Sequence, residues 1–443
     1  MNHDRITTNT ESAGVNLDDF LAFMPTHSYI FTPSGETWPA ASVNARIPPV
    51  PIINADGSPK TDKNGDPINL SASAWLDRHR PVEQMTWSPG HPMLIKNRLI
   101  SDGGWIARPG VTCFNLYRAP VPRDGDASEA GPWVDHLRLV YGNEADHIIK
   151  WLAHRVQKPG EKINHALVLG GKQGIGKDTL LEPIKHAIGP WNFADVTPKH
   201  LLGRFNGFAK SVVMRISEAH DLGDVDRFAF YDTMKIYTAA PPDVLRVDEK
   251  HMREYAVFNV MGVIITTNHK SDGIYLPADD RRHFVTWSDK DRSDFSADYW
   301  TRLYQWYENG GIAHVAAYLA TVDISAFDAK APPPKTEAFW DIVNANRAPE
   351  NSEIADVLDG MGNPDALTID MLANASEGDF TDWLRDRKNR RKIPHRMEEA
   401  GYAPIRNPDA ASDGLWKIRG KRQAVYARAD ISIRDQFYAA RKL

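Results

Sequence analysis

The sequence predicts an α/β fold built around a parallel sheet. Between residues 160 and 320, short apolar runs rich in β-branched residues alternate with helical or polar stretches, as in a sheet covered by helices on both faces. A glycine-rich turn joins the first of these runs to an amphipathic helix. The 443 residues are 42% hydrophobic and 25% charged, which is an ordinary globular composition and enough chain for about three domains.

Cysteine content and hydropathy exclude several classes of protein. Cys113 is the single cysteine, so neither an intrachain disulfide nor a four-thiolate zinc site can form, which favours a reducing, cytoplasmic compartment. The first thirty residues lack a basic stretch followed by an apolar one, and nowhere do eighteen apolar residues run together. We therefore expect neither export nor a membrane span.

Positive charge is concentrated towards the end of the chain. The net charge is -5, yet residues 383–443 contain 16 Lys and Arg against seven Asp and Glu. This local excess of +9 leaves -14 for the rest of the sequence. The C-terminal region is therefore the electropositive part of the chain, either as a surface for nucleic acid or as the solvated basic face of an ordinary helical domain.

Residues 1–135 form the first predicted unit. Turn sequences such as Ala55-Asp56-Gly57 separate short apolar runs, which predicts an irregular α+β accessory region. The stretch Pro120–Pro132, rich in Pro, Gly and Asp, marks its end. From Trp133 to Arg155, apolar residues recur at helical spacing and predict one or two helices.

The second unit, residues 136–325, holds the predicted sheet. Its apolar runs are expected to be strands, namely His165–Leu169, Ser211–Ile216, Val260–Thr266 and His283–Trp287. Residues 326–349, with prolines at 332–334, predict a linker. Residues 350–443 are interpreted as helices followed by strands around 415–419 and 423–428, with a basic turn of Gly420, Lys421 and Arg422 between them.

The strongest local motif is the glycine loop. Gly171, Gly174 and Gly176 follow an apolar run and precede Lys177, after which a helix begins. Glycines let backbone N–H groups approach phosphates, a helix N-terminus favours negative charge, and a lysine neutralises the outer phosphates. The motif predicts a nucleoside triphosphate site, with a glycine turn that merely caps a helix as the structural alternative.

One position of this motif departs from the usual pattern. The sequence G-x-x-x-x-G-K-[ST] holds from Gly171 to Lys177, but Asp178 occupies the hydroxyl position and Thr179 follows it. Hard cations such as Mg²⁺ take oxygen ligands, so both residues are candidates for the metal. Of the two, we favour Thr179.

Two further apolar runs end in polar residues. Ser211–Ile216 leads to Glu218, a carboxylate placed to polarise an attacking water near the metal. A later run leads to Asn268, an amide that could sense the γ-phosphate or that water. Helix caps and turns are the ordinary explanations of such residues, and the preceding glycine loop favours the functional ones.

Arg281 and Arg282 follow Asp279 and Asp280 directly before the last predicted strand. Such a run is commonly a set of surface ion pairs. The two arginines are also candidates for arginine fingers, which reach the nucleotide of a neighbouring subunit.

These motifs, in this order, resemble the superfamily 3 helicases, a branch of the AAA+ ATPases, and in particular the motor of phage and plasmid primase-helicases. The resemblance covers roughly residues 70–320 and implies ATP and Mg²⁺ as cofactors. Residues 171–179 are similar to the Walker A loop and Glu218 to the acidic end of Walker B, with Ser217 where many relatives have Asp or Asn. Asn268 matches the family sensor, and Arg281 and Arg282 match its finger segment.

The resemblance also implies contacts with DNA. Relatives carry a hairpin after Walker B, and the similar stretch, Met234–Lys250, would place Lys235 and Lys250 at a central pore that holds a single strand. The C-terminal region resembles a winged-helix domain that would contact duplex DNA. Its candidate contacts are Arg387, Lys388, Arg390, Arg391, Lys421 and Arg422. The segment Arg204-Phe205-Asn206 is also similar to a family feature, with no assigned chemistry.

The resulting hypothesis is a replicative DNA helicase of a phage, plasmid or mobile island, acting as a ring, by resemblance a hexamer, in a bacterial cytoplasm. The N-terminal region shows no paired carboxylates on a strand and no Cys/His cluster, so it is interpreted as an accessory or collar, and any primase would be a separate partner. Two alternatives stay open: an ATP-controlled initiator that assembles on DNA without unwinding it, and a small-molecule kinase.

Overall fold

The computed structural model describes residues 14–101, 103–217, 227–250, 253–270, 274–345, 349–386, 389–390, 393–410 and 413–443. Contacts divide the chain into two units, one that ends at Trp340 and one that begins at Asp341. This division falls inside the segment 326–349 that the sequence predicts as a linker. Within the described ranges, no helix is long and apolar enough to cross a membrane.

The first unit opens with a region of short strands. The strands are β1 (Phe20–Phe23), β2 (Ser28–Phe31), β3 (Glu36–Trp38), β4 (Val50–Pro51), β5 (Asn69–Leu70), β6 (Pro81–Val82), β7 (Gln84–Thr86), β8 (Leu94–Ser101) and β9 (Gly104–Asn115). They pair in the orders β3-β2-β1-β6, β4-β5 and β7-β9-β8. Helices α1 (Ala40–Arg46) and α2 (Ala72–His79) cover the first sheet, where Phe20, Tyr29 and Leu76 are buried.

The central sheet of the first unit is parallel, as the sequence predicts. All four predicted strands form, and the sheet has the order β11-β12-β15-β10-β16 in the described part of the chain. The strands are β10 (Ala166–Gly171), β11 (Phe193–Val196), β12 (Val213–Ile216), β15 (Gly262–Thr267) and β16 (His283–Ser288). Every residue of β10 and β15 is buried, because helices cover both faces of a parallel sheet.

Helices connect these strands and fill the space around them. They are α3 (Gly131–Tyr141), α4 (Ala145–Gln157), α5 (Lys177–Ile188), α6 (Pro198–Leu201), α7 (Arg227–Thr238), α8 (Ala297–Trp306) and α9 (Ile312–Thr321). Helices α3 and α4 occupy the segment 133–155 for which the sequence predicts one or two helices. Helices α4, α5 and α9 pack on one another, which fixes the direction of α5 as it leaves the glycine loop.

An antiparallel hairpin stands between α7 and β15. Its strands are β13 (Val244–Val247) and β14 (Tyr255–Phe258). The β-rich region at the start of the chain packs against it: the Thr86 hydroxyl donates to the Ala256 carbonyl at 2.8 Å, and the rings of Trp105 and Phe258 lie 5.2 Å apart. The hairpin is therefore braced along β14.

The second unit is a small α/β domain. Helix α10 (Glu337–Ala345) spans the division between the units, and the elements that follow are α11 (Pro349–Gly360), β17 (Ala366–Thr368), α12 (Ile369–Ala375), α13 (Asp379–Arg385), α14 (Ile393–Glu399), β18 (Tyr402–Ile405), β19 (Trp416–Ile418), β20 (Lys421–Gln423), β21 (Val425–Arg428) and α15 (Ile433–Arg441). Strands β17, β21 and β18 form an antiparallel sheet in that order.

The turn of the basic hairpin in this unit begins one residue earlier than the sequence predicts. Lys421 and Arg422 lie in β20, paired with β19, and the turn is Arg419-Gly420. Both turn residues have positive φ angles, +49° and +83°, as a tight two-residue hairpin turn requires. The prediction was wrong here because arginine is an uncommon residue in the left-handed conformation.

Candidate nucleotide site

The glycine loop joins the end of β10 to the start of α5, as the motif predicts. Gly171, Gly174 and Gly176 have φ angles of +142°, +85° and +87°, which other residues rarely adopt. Space is also restricted, because a Cβ atom on Gly176 would lie 2.5 Å from Nε2 of His136. The loop therefore needs glycine for both its backbone conformation and its packing.

Lys177 is buried at the first turn of α5 and its ammonium lies against the loop. Nζ donates to the Gly171 carbonyl at 2.6 Å, to the Lys172 carbonyl at 2.9 Å and to Oδ1 of Asn268 at 2.7 Å. Burial lowers the pKa of Lys177 to about 8, against the opposing effect of the Asp178 carboxylate. Two residues that the sequence assigns to one site, Lys177 and Asn268, are thus in direct contact.

Aromatic residues that the sequence analysis missed support the loop from behind. His136 of α3 is fully buried, its Nδ1 is hydrogen-bonded to the Tyr299 hydroxyl at 2.7 Å, and Trp300 packs beside it. Burial lowers the pKa of His136 to about 4. A neutral imidazole therefore packs under Gly176.

Thr179 faces α8, away from the outer surface of α5. Its hydroxyl is hydrogen-bonded to the Tyr304 hydroxyl at 3.0 Å, and its carbonyl accepts from the Tyr307 hydroxyl at 3.0 Å. The side chain is buried. These contacts give Thr179 a structural partner and argue against the metal role that the sequence analysis favours for it.

Asp178 lies on a different face of α5 and is 80% exposed. Its Oδ1 accepts from Nη1 of Arg215 at 2.6 Å, and Nε of Arg215 donates to Oδ1 of Asp195 at 2.6 Å. Arg215 belongs to β12, so a cation from one strand bridges α5 and β11. The signal for this residue in the sequence is an arginine inside an otherwise apolar run.

The carboxylate predicted to polarise water, Glu218, lies outside the described residues. Ser217, the residue before it, follows β12, and its N–H donates to the Val196 carbonyl at 3.2 Å. Among the described residues, no group of three or more His, Cys, Asp or Glu side chains could hold a metal ion. In a nucleotide site the phosphates and water supply most of the oxygen ligands of Mg²⁺, so one or two protein ligands suffice.

A cavity of about 450 Å³ adjoins the loop on the side of β16. It is lined by the end of α3 and the turn that follows, including Tyr141 and Asn143, and by Trp287 and Lys290. The buried Tyr141 hydroxyl has no hydrogen-bond partner in the part of the chain described. Because Ser288 of the lining pairs with Gly171 in the sheet, the cavity opens next to the phosphate loop.

Arg281 and Arg282 line a second cavity of about 440 Å³. Asp280 is buried beside them and accepts from the Arg282 and His283 N–H groups, at 2.9 and 3.0 Å, and from the Tyr231 hydroxyl at 2.8 Å. Burial alone would raise the pKa of Asp280, but the His283 ring, whose Nδ1 lies 3.1 Å from Oδ1, together with the Arg282 N–H and the Tyr231 hydroxyl holds it at about 2. Asp280 thus fixes the start of β16, and the exposed Arg281 forms no ion pair with it.

Lys235 shares this second cavity and lies on α7, not on the hairpin where the sequence analysis expects it. Its ammonium pairs with Asp232 at 2.7 Å and lies 4.5 Å from the Tyr231 ring. The hairpin itself forms one segment later, between 244 and 258, because the helical pattern of 227–238 continues through the stretch expected to be extended.

Lys250 is exposed in the connection between β13 and β14, as expected. The base of this connection is clamped by Asn206, whose Oδ1 accepts from the Asp248 N–H at 2.7 Å and whose Nδ2 donates to the Arg246 carbonyl at 2.8 Å. Arg204 adds an ion pair with Asp248 at 3.0 Å. The segment Arg204-Phe205-Asn206, which had no assigned chemistry, therefore anchors the hairpin.

The basic residues predicted to contact DNA from the second unit differ in their surroundings. Lys421 pairs with Asp370 at 3.5 Å and Arg422 with Asp413 at 2.5 Å, whereas Arg390 is exposed. Arg387, Lys388 and Arg391 lie outside the described residues. Lys417 and Arg419, on β19 and its turn, are exposed and form no ion pair within the described ranges.

Comparisons with known proteins support this fold more than any activity. A model of DUF5906, a family of unknown function, matches residues 169–282, from the end of β10 to Arg282. No curated protein matches the chain. Two solved structures of the NrS-1 C-terminal region are similar to it: an apo structure of its residues 305–718, with 16% identity over 92% of this chain and 95% of that one at a TM-score of 0.58, and an A-form apo structure, with 14% identity over 92% and 96% at 0.54.

A JCV helicase bound to a small molecule is a weaker match, with 12% identity over 53% of this chain and 65% of that one and a TM-score of 0.31. A score this low does not support a shared fold. The likeness to the NrS-1 C-terminal region, in contrast, extends over nearly the whole of both chains and shows that they share a mixed α/β fold with a parallel sheet.

Proposed function

We propose that the protein is an ATP-dependent DNA helicase that acts as a ring in the replication of a mobile element. The contact of Lys177 with Asn268 at 2.7 Å carries this proposal. It lies at the carboxyl ends of adjacent strands of a parallel sheet, where ligands of such sheets bind. A glycine loop and a helix N-terminus stand at the same place, which is the arrangement that phosphate binding needs.

The residues around the loop fit ATP and Mg²⁺. The Lys177 ammonium donates only to uncharged acceptors. The charged phosphate oxygens of a triphosphate would be stronger acceptors in their place. The cavity beside Tyr141 and Trp287 has the volume for a nucleoside. When bound, Mg²⁺ would neutralise charge on the β- and γ-phosphates. Asp178, whose exposed carboxylate pairs with Arg215 at 2.6 Å, would have to leave that partner to hold the cation. Glu218 remains the candidate for orienting the attacking water.

The proposed AAA+ assignment also predicts a neighbour's contribution. Arg281 is exposed at the edge of a cavity away from the loop, so it is available to a second subunit. An arginine presented in this way would stabilise charge on the transferred phosphoryl group. Hydrolysis would then depend on assembly.

DNA contacts are proposed at two places. Lys250 at the tip of the β13–β14 hairpin would track the backbone of a single strand. The second unit has a helix α14 directly before β18 and a basic hairpin between β18 and β21, which supports the winged-helix interpretation. Its basic hairpin equally favours a second candidate, an initiator that assembles on DNA without unwinding, and strand separation on a forked duplex distinguishes the two.

The test of the proposal is the variant Lys177→Ala. We expect its ATP turnover to fall by on the order of 100-fold, because one fixed charge on the phosphoryl group is lost. Lys172→Ala is the matched control, since Lys172 lies on the same loop but its ammonium is exposed and pairs with Asp291 at 2.9 Å. Glu218→Gln should bind ATP normally and fail to hydrolyse it. Normal turnover by Lys177→Ala would contradict the assignment.

A further inference from the structure

We propose that the outward side of α15, in the second unit, binds an unpaired DNA strand, with Tyr438 stacking on a base and Arg434 and Lys442 contacting phosphates. These three residues lie outside the glycine loop, the β13–β14 hairpin and the β19–β20 hairpin. The inference rests on the proposed function for the choice of DNA as the partner, and the surface itself needs no ATP.

One side of α15 is firmly attached to its unit. Ala440 is fully buried, and Phe437 packs on the same apolar cluster as Trp416. Nε2 of Gln436 donates to the Arg428 carbonyl at 2.8 Å, which joins the helix to β21. The opposite side is therefore presented to solvent in a fixed orientation, and a ligand that binds there causes little loss of conformational entropy in the protein.

The outward side of α15 is basic and carries one aromatic ring. Arg434, Tyr438 and Lys442 are four residues apart, so they form one row along the helix. All three are exposed, and Tyr438 is 63% exposed. Arg441 adds a third cation beside the row, and its ion pair with Asp409, at 3.4 Å between exposed groups, is worth little.

The ring and the cations are arranged for different parts of a nucleotide. The Lys442 ammonium lies 4.1 Å from the centroid of the Tyr438 ring. The Arg434 guanidinium forms no ion pair within the described ranges. The carboxylate of Asp435 is engaged at the helix start by the Ser432 hydroxyl, at 2.6 Å. Two cations are thus available to phosphates on either side of an exposed ring, the combination that binds single strands.

The ring determines which form of DNA fits this surface. In a duplex the bases stack on one another and present only their edges in the grooves, whereas an unpaired strand exposes the faces of its bases. Lysine and arginine contact the phosphates of either form. An exposed Tyr438 therefore favours the unpaired strand.

The α15 surface is separate from the basic hairpin for which duplex contacts are proposed. Trp416 and Ile418 of β19 belong to the apolar cluster on which α15 packs. Lys417 lies between them in the strand, so its side chain projects from the other face of the hairpin. Contacts at α15 and at Lys417 can therefore be removed independently.

The test is the affinity of the whole protein for fluorescent DNA strands, measured by anisotropy without nucleotide. All variants carry Lys250→Ala, which weakens the proposed pore contact and leaves α15 intact. Tyr438→Ala should weaken binding of an unpaired strand by on the order of tenfold, whereas Tyr438→Phe keeps the ring and should bind as before. Ile433→Ala is the matched control, because Ile433 is 71% exposed on the same helix but lies about 140° around it from Tyr438.

Two comparisons separate stacking from charge. A strand of abasic sites keeps the phosphates and lacks the bases, so Tyr438→Ala should leave its affinity unchanged. Arg434→Ala/Lys442→Ala should weaken binding of both strands and lower the slope of log affinity against log salt by about 1.4, since each phosphate contact to a single strand contributes about 0.7.

Other outcomes contradict the inference. Unchanged affinity of Tyr438→Ala for the unpaired strand, an equal loss on the abasic strand, or a loss in Tyr438→Phe as large as in Tyr438→Ala would each overturn it. Photocrosslinking of the wild-type protein to a strand with 5-iodouracil is a second measurement, and the absence of a crosslink at Tyr438 would also overturn it. Normal ATP turnover by Lys177→Ala makes the proposed function fail instead, because all of these measurements are made without ATP.

Discussion

Without nucleotide, the Lys177 ammonium donates three hydrogen bonds inside the protein. The ammonium is satisfied by two loop carbonyls and the Asn268 amide, all of which are uncharged. A buried cation without a carboxylate partner loses hydration and gains only neutral hydrogen bonds, which is why its pKa falls to about 8. A triphosphate supplies the missing negative charge, so binding and protonation of Lys177 are linked.

This linkage predicts how affinity depends on pH. The pKa of Lys177 lies below the ordinary lysine value, so the free protein loses the ammonium as pH rises through about 8. Binding favours the protonated form, so the dissociation constant for ATP should rise by up to about tenfold per pH unit above 8 and stay level below about 7. A titration with fluorescent ATP in EDTA at each pH measures it.

Lys177→Arg is the control for this prediction. Arginine stays protonated over the whole range, so the variant should show no rise with a midpoint near 8, whatever its absolute affinity. An equally level profile in the wild-type protein would show that the Lys177 ammonium does not bind the phosphates.

The sequence alone could predict some of these residues and not others. Asn268 directly follows a recognisable strand, and Lys177 follows another after the glycine loop. Parallel strands bring such carboxyl ends together. The partners of Asp178 and Thr179 could not be predicted, because Arg215 and Tyr304 lie 37 and 125 positions away. A local sequence pattern does not indicate which hydroxyl will form a hydrogen bond with a distant tyrosine.

At the scale of elements, the strands of the central sheet are the best-predicted part of the fold. They are continuous apolar runs, and such runs are typical of strands buried on both faces. The hairpins were predicted less well. The stretch around Lys235 forms the helix α7, and the turn of the β19–β20 hairpin is one step earlier than expected. Short hairpins depend on turn conformation and on long-range clamps such as Asn206, which periodicity does not reveal.

The β19–β20 hairpin gives a prediction about DNA. Lys417 and Arg419 are exposed without an ion pair in the described residues, whereas Lys421 and Arg422 are already neutralised by Asp370 and Asp413. Replacing the first two by alanine should weaken duplex binding and lower the slope of log affinity against log salt by about two. Fluorescence anisotropy over a salt series measures both.

The double variant Lys421→Ala/Arg422→Ala is the matched comparison, since it removes the same charge from the same hairpin. We expect a smaller change in slope, because those cations exchange one carboxylate partner for another anion. Equal losses in the two double variants would show that the ion pairs open on contact with DNA, contrary to this prediction.

At the scale of the whole molecule, the glycine loop and Arg281 lie at opposite ends of β16, since Gly171 pairs with Ser288 whereas Arg281 precedes His283. If Arg281 is the proposed arginine finger, it must therefore act on the nucleotide of a neighbouring subunit. We expect light scattering to show a ring-sized particle with ATP, Mg²⁺ and single-stranded DNA. Arg281→Ala should still assemble while ATP turnover falls by about 1,000-fold, the effect of losing an arginine finger.

Mixing inactive variants gives the decisive control for this prediction. Lys177→Ala and Arg281→Ala rings should regain activity when mixed, because some interfaces then pair an intact loop with an intact arginine. The Nε of Arg282 is buried, so ATP turnover should fall less in Arg282→Ala than in Arg281→Ala. A monomer under every condition that still hydrolyses ATP would remove both the ring and the helicase proposal.

The contact between the N-terminal region and β14 has a mechanical consequence. Thr86 and Trp105 tie the hairpin to strands β7 and β9, and β9 alone is 12 residues long. A hairpin held in this way moves together with the attached sheet, because separating the two would break the Thr86–Ala256 hydrogen bond and the Trp105–Phe258 contact. In the proposed helicase, the N-terminal region would therefore limit how far the hairpin moves in one ATP turnover. Deleting the residues before α3 should then leave ATP hydrolysis less tightly coupled to movement along DNA.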